Sequence, residues 1–148
     1  MLKHILAALS GAKPVEALPP EDCRLALTAL MIHVAKADET FADTERAAIT
    51  QILRKRYELS ENESETLMSE AEQVEEKATD TVPLTRLIKD AVPYEERIEV
   101  VEHLWEIALA DGQRSDDENA LLRLVVNLIG VPDRDSGLAR QRVSARLA

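Results

Sequence analysis

One stretch of this chain occurs twice. Residues 35–49 and 108–122 align with identities at Ala35/Ala108, Ala37/Ala110, Asp38/Asp111, Asp43/Asp116, Glu45/Glu118 and Ala47/Ala120. The shared residues are small apolar ones and carboxylates. Small residues let two helices approach closely, and carboxylates suit an exposed connecting loop, so the pattern predicts a repeated helix–acidic loop–helix unit. The repeat units fall at about 21–80 and 93–148, and any fold for this chain must accommodate both.

The residues before each acidic segment are strongly apolar. Arg24 to Ala37 carries Leu25, Leu27, Leu30, Met31, Ile32 and Val34, and Tyr94 to Ala110 carries Ile98, Val100, Val101, Leu104, Trp105, Ile107 and Leu109. Apolar residues on every side mark helices buried on most faces. These two are the predicted central helices of an all-α fold. Amphipathic helices follow at Asp43 to Arg56, with Ile49, Ile52 and Leu53, and at Asp116 to Ile129, with Leu122, Val125, Val126 and Ile129. Ser60-Glu61-Asn62-Glu63 is a capping box that opens a helix to about Ala78. Pro83 to Asp90 makes a short helix before Pro93. A last helix follows the Val131-Pro132-Asp133 turn, carrying Arg134, Arg140, Arg142 and Arg146, and its basic side is expected to pack on the acidic helix 60–78.

Ahead of these elements, Leu2, Ile5, Leu6 and Leu9 recur at helical spacing. Pro14, Pro19 and Pro20 then mark a linker. The chain thus divides into an N-terminal amphipathic helix and linker at 1–20 and a helical domain at 21–148. Whether the first helix docks on the domain, or meets a partner or a membrane surface, is open at this level. The oligomeric state is open too.

Charge and composition narrow the function. The net charge of −10 opposes binding to a phosphate backbone, which needs Lys and Arg to displace counterions. No nucleic-acid partner is expected. Only 3% of residues are aromatic, too few for a stacking platform. The single Cys23 excludes an internal disulfide, and residues 1–9 lack the apolar core and cleavage site of a signal peptide, so a cytoplasmic setting is expected.

The chemistry-bearing positions lie in the two acidic loops. Asp38 and Asp111 end the two most apolar helices, where unsatisfied carbonyl oxygens and the negative end of the helix dipole repel a carboxylate. A cation nearby would relieve that repulsion. Glu45 and Glu118 open the outgoing helices, so each loop offers two carboxylates and several carbonyls, a hard-oxygen set suited to Ca²⁺, Mg²⁺ or Mn²⁺. Asp43 and Asp116 are further candidates. His33 and Glu106 occupy equivalent places before the two loops; an imidazole ligand would tilt the first loop toward Mn²⁺ or Zn²⁺.

Capping accounts for part of the same pattern, since Ser115 to Glu118 forms a capping box and Gly112 suits a helix C-cap. Neither loop has EF-hand spacing, because Asp43 and Ile49, or Asp116 and Leu122, stand where Gly and Glu are needed. No Glu-x-x-His pair is present for a di-iron bundle: Leu30 and Val100 precede His33 and His103 at that spacing. Cys23 and the histidines have no neighbouring nucleophile or base in sequence, so no enzymatic activity is expected.

The acidic segment 37–46, the Tyr94-Glu95-Glu96-Arg97 start of the second half, and the 104–112 run of Leu104-Trp105-Glu106-Ile107-Ala108-Leu109-Ala110-Asp111-Gly112 resemble the TerB-like family from about Glu21 onward. The chain departs from the family's loop at Glu39, where Gly is usual. The resemblance implies a multihelical all-α fold with an internal duplication around two central helices, a non-enzymatic role linked to tellurite resistance and stress, and metal binding at Asp38, Glu45, Asp111 and Glu118; the leading expectation is a stress-linked sensor or scaffold. The alternative is a metal-free module that holds a protein partner through the helix 60–78, where nine acids from Glu58 to Asp80 face Lys77 alone.

Overall fold

The structure, a computed structural model, describes residues 2–9, 19–36, 43–78, 80–110 and 116–147. Among them are eight helices and no strand. They are α1 (Leu2–Leu9), α2 (Pro20–Ala35), α3 (Asp43–Tyr57), α4 (Glu61–Lys77), α5 (Thr81–Ala91), α6 (Tyr94–Ala110), α7 (Asp116–Leu128) and α8 (Asp133–Leu147).

Apolar surface decides the arrangement. Helix α2 has no polar side, and Leu25, Ala26, Ala29, Leu30 and Ile32 are all fully buried in it. Such a helix must be surrounded. It packs against α1 and against α3 through α7, with α4 laid along its length. Helix α6 buries Val100, Val101 and Leu104 but leaves Ile98, Trp105 and Ile107 half-buried. Its neighbours are α2, α3, α5 and, along its length, α8. Met68 and Val74 of α4, Ile49 and Leu53 of α3, Leu84 and Ile88 of α5, and Val125 of α7 complete one continuous core with Ile129.

Helix ends follow local chemistry. Proline is well suited to the first helical position, because it needs no amide hydrogen there. Pro20 accordingly opens α2, so the helix begins inside the segment expected to be linker. The capping box at α4 is present: the Glu63 amide donates to Ser60 Oγ at 3.1 Å and the Ser60 amide donates to Glu63 Oε1 at 2.9 Å. Helix α3 ends with Glu58 at φ 53°, and the Leu59 amide closes back onto the Arg54 carbonyl. Helix α7 ends in the same way, with Gly130 at φ 79° and the Val131 amide on the Val126 carbonyl. Both are Schellman exits that carry an apolar residue, Leu59 or Val131, into the packed interior.

Two expectations about packing are resolved. Helix α1 docks on α2, α4 and α5 with Ile5 fully buried. The basic last helix does not lie on α4. It packs on α6, where Arg142 and Arg146 pair with Glu102 at 3.4 and 3.3 Å. Its apolar residues Ala139 and Val143 face the interior. Area, not net charge, set its partner, since exposed ion pairs contribute little compared with buried apolar surface.

Candidate functional site

The acidic junctions join α2 to α3 and α6 to α7. Asp38 and Asp111 lie in the segments 37–42 and 111–115, outside the described residues. Glu45 is half-buried in the first turn of α3, and Asp43 is exposed at its first position. Asp116 and Glu118 fall in the first turn of α7, and their side chains lie outside what is described. Among the described residues, no three His, Cys, Asp or Glu side chains converge on a common point that would hold a metal ion.

The two histidine-level candidates are turned to other neighbours. Glu106 sits 3.6 Å from Arg146 of α8. His33 makes two contacts at once: its Nδ1 is 3.3 Å from Glu75 Oε1 and its Nε2 is 2.9 Å from Thr81 Oγ1. Lys36 Nζ donates to the other Glu75 oxygen at 3.0 Å. This cluster ties the end of α2 to the end of α4 and the start of α5, directly beside the first acidic junction. Sequence reasoning picked out His33 but not Glu75, Lys36 or Thr81, because only tertiary packing brings residues some forty positions apart into one cluster.

Part of the acidic helix α4 is paired from within the chain. Arg46 of α3 reaches Glu65 at 2.7 Å and Glu72 at 2.9 Å. These bonds hold the Glu65 carboxyl below the usual carboxylate range.

The family model described as "Tellurite resistance protein TerB" matches residues 24–141. The chain belongs to the TerB family. The match opens within α2 and closes within α8, so α3 to α7 fall wholly inside it and α2 and α8 in part. No curated protein and no solved structure matches the chain.

Three further polar groups of the TerB domain have environments that suppress their reactivity. Burial, with the Glu96 carboxylate beside it, pushes the Cys23 thiol up to about 11, far from the thiolate that a nucleophile needs. Burial lowers His103 to about 4, aided by Arg56 and Arg146, so the imidazole is neutral at pH 7. Its separation of 3.9 Å from Glu106 is therefore a contact of a neutral ring and not an ion pair. Tyr94 donates to Asp135 of α8, and burial together with that bond pushes its hydroxyl up to about 12. Tyr94 thus pins the start of α6 to the start of α8.

Proposed function

We propose that this TerB domain is a non-enzymatic, cytoplasmic protein that binds divalent cations at its two acidic junctions and serves as a sensor or scaffold in a stress or tellurite response. One observation carries the reading. The same Ala-x-Ala-Asp start and Asp-x-Glu finish recur at the two places where a core helix hands over to a helix with an acidic first turn, α2 to α3 and α6 to α7. In sequence, Asp38 and Asp111 follow the C-terminal ends of α2 and α6, and a helix C-terminus disfavours a carboxylate unless a cation offsets the cost. The engagement of both His33 nitrogens leaves an oxygen-only ligand set of Asp38, Glu45, Asp111 and Glu118. That favours Ca²⁺, Mg²⁺ or Mn²⁺ over Zn²⁺.

The competing reading, a metal-free module that holds a protein partner on α4, draws on fewer groups than the residue count suggests. Glu63 closes a capping box, Glu65 and Glu72 hold Arg46, and Glu75 holds His33 and Lys36. Glu58, Glu61, Glu76 and Asp80 remain as exposed carboxylates for a basic partner.

Calorimetric titration with Ca²⁺, Mn²⁺ and Zn²⁺ separates the two. The wild type is expected to release or take up heat saturably with Ca²⁺ or Mn²⁺, and Asp38→Ala/Asp111→Ala to lose the signal. Flat traces for both proteins leave only the interaction module.

A further inference from the structure

A groove of about 510 Å³ between α6, α7 and α8 takes no part in the reading above. Trp105, Leu122 and Val126 give it apolar surface, and Asn119, Arg123 and Arg140 add polar groups from two different helices. That volume is in the range of a small-molecule site, and its walls mix polar and apolar groups in nearly equal measure.

The Trp105 ring is held in place. Its Nε1–H donates to Ser136 Oγ at 3.1 Å, and the Arg140 guanidinium lies 5.0 Å from its centroid. Ser136 is itself buried. The indole therefore has its polar edge satisfied and presents apolar surface to the groove, with a cation over the ring.

Charge adds to this. The chain carries a net charge of −10, yet two arginines, Arg123 and Arg140, line this one groove. Neither pairs with a carboxylate among the described residues, although Asp133 lines the same groove. Two guanidinium groups lining one concave surface offer the kind of donors that bind a phosphate or carboxylate. Gly137 supplies the remaining feature. Glycine in a helix weakens it, yet here it lines the groove, and a Cβ placed on it would meet nothing within 4 Å. The absence of a side chain keeps that wall open.

We propose that this groove binds a small oxyanion-bearing ligand, with its phosphate or carboxylate held by Arg123 and Arg140 and its apolar or flat body against Trp105, Leu122 and Val126. This site is separate from the acidic junctions and independent of whether they take a cation.

Trp105 is the chain's one tryptophan, so its emission reports on the groove. AMP serves as a probe with a flat body and a phosphate, inorganic phosphate as the bare anion, and adenosine as the body without charge. Wild-type protein is expected to show a saturable change in emission with AMP, reversed by excess inorganic phosphate and absent with adenosine. Because Arg140 touches the ring, affinities are read in parallel by equilibrium dialysis. Arg123→Gln/Arg140→Gln should weaken AMP by about tenfold or more. Gly137→Leu should abolish binding by filling the groove while leaving the melting temperature unchanged or raised, which separates loss of binding from loss of fold. Asp38→Ala/Asp111→Ala should bind AMP as the wild type does. The proposal is overturned if the wild type takes up no AMP saturably, if the groove variants bind it as tightly as the wild type, or if adenosine binds equally well.

Discussion

The α2–α4 region and the α6–α8 region pack alike and are charged in opposite senses. In the first, α4 lies along α2, and its carboxylates Glu65, Glu72 and Glu75 face cations on the inner helices, Arg46 on α3 and Lys36 on α2. In the second, α8 lies along α6, and its guanidinium groups Arg142 and Arg146 face Glu102 and Glu106 on the inner helix. The outer helix carries the negative charge in one region and the positive charge in the other. The inward-facing charges of each find partners locally, so neither helix needs the other. That is why the basic α8 and the acidic α4 do not meet: apolar contact chooses the partner helix, and surface charge then adjusts to it.

The comparison is tested most severely in the core. Helix α2 is enclosed on all sides, whereas α6 is half-covered, so truncations should differ in cost. Leu30→Ala, at a fully buried position in α2, is expected to lose about 4 kcal/mol. Leu104→Ala in α6, 2% exposed on a helix whose Ile98, Trp105 and Ile107 are only half-buried, should lose about 2 to 3 kcal/mol. Urea unfolding at pH 7 measures both. Equal losses would remove the distinction between an enclosed and a flanked helix.

Histidine supplies the next contrast. His33 in the first region has a partner at each ring nitrogen, while both nitrogens of His103 in the second are buried without one. The folded state holds His103 near 4 against an ordinary value of 6.5. Above about pH 6.5 the ring is neutral in both states and costs nothing. As pH falls from 6.5 toward 4, the unfolded chain binds a proton that the folded chain refuses, so stability drops; below 4 the loss levels off. The depth of the loss is on the order of 3 kcal/mol. His103→Phe should remove that part of the acid sensitivity, read as the difference between the two pH–stability profiles. Superimposable profiles would show that the imidazole is hydrated in the folded state.

The Schellman exits sharpen the comparison at the level of single residues. Gly130 leaves α7 without strain, whereas Glu58 leaves α3 in left-handed geometry that a side chain disfavours by roughly 1 to 2 kcal/mol. Gly130→Ala should destabilise by about that amount, and more where the new Cβ meets Arg97 Nη1 at 2.9 Å, which itself donates to the Ile129 carbonyl. Glu58→Gly should stabilise by up to about 1 kcal/mol. Thermal unfolding of the two variants checks both signs.

Much of this was legible before any coordinates. Periodicity places α6 at 94–110 and α3 and α7 from Asp43 and Asp116, each starting where the structure has it, and Ser60 with Glu63 announces the start of α4. The misplaced starts have one cause. Pro20 reads as linker and Pro83 as the first residue of its helix in a linear reading, yet proline is tolerated throughout a helix's first turn, so α2 starts at Pro20 and α5 at Thr81, ahead of the expected positions. The candidate site was legible only as residue types. Nothing near His33 in sequence points to Glu75 or Thr81, and nothing near Trp105 points to Arg123, Ser136 or Arg140, because each cluster is assembled by helices crossing at a distance. The exposed Glu58 in left-handed geometry gave no signal either, since glycine is the residue that marks such a turn.

The smallest effect bears most directly on the reversed charges. Glu75 is 12% exposed and holds His33 and Lys36 together, while Glu102 is 15% exposed but its partners Arg142 and Arg146 are half in solvent. A pair with both members sheltered resists salt screening, and a pair with one member in water does not. Glu75→Gln should therefore cost about 1 kcal/mol with little dependence on ionic strength. Glu102→Gln should cost a few tenths of a kcal/mol at low salt and nothing measurable in molar salt. Denaturation of both variants at low and high sodium chloride distinguishes them. A strong salt dependence for Glu75→Gln would mean that the α2–α4 cluster is as open to water as the α6–α8 one, and the two regions would then differ only in the sign of their charges.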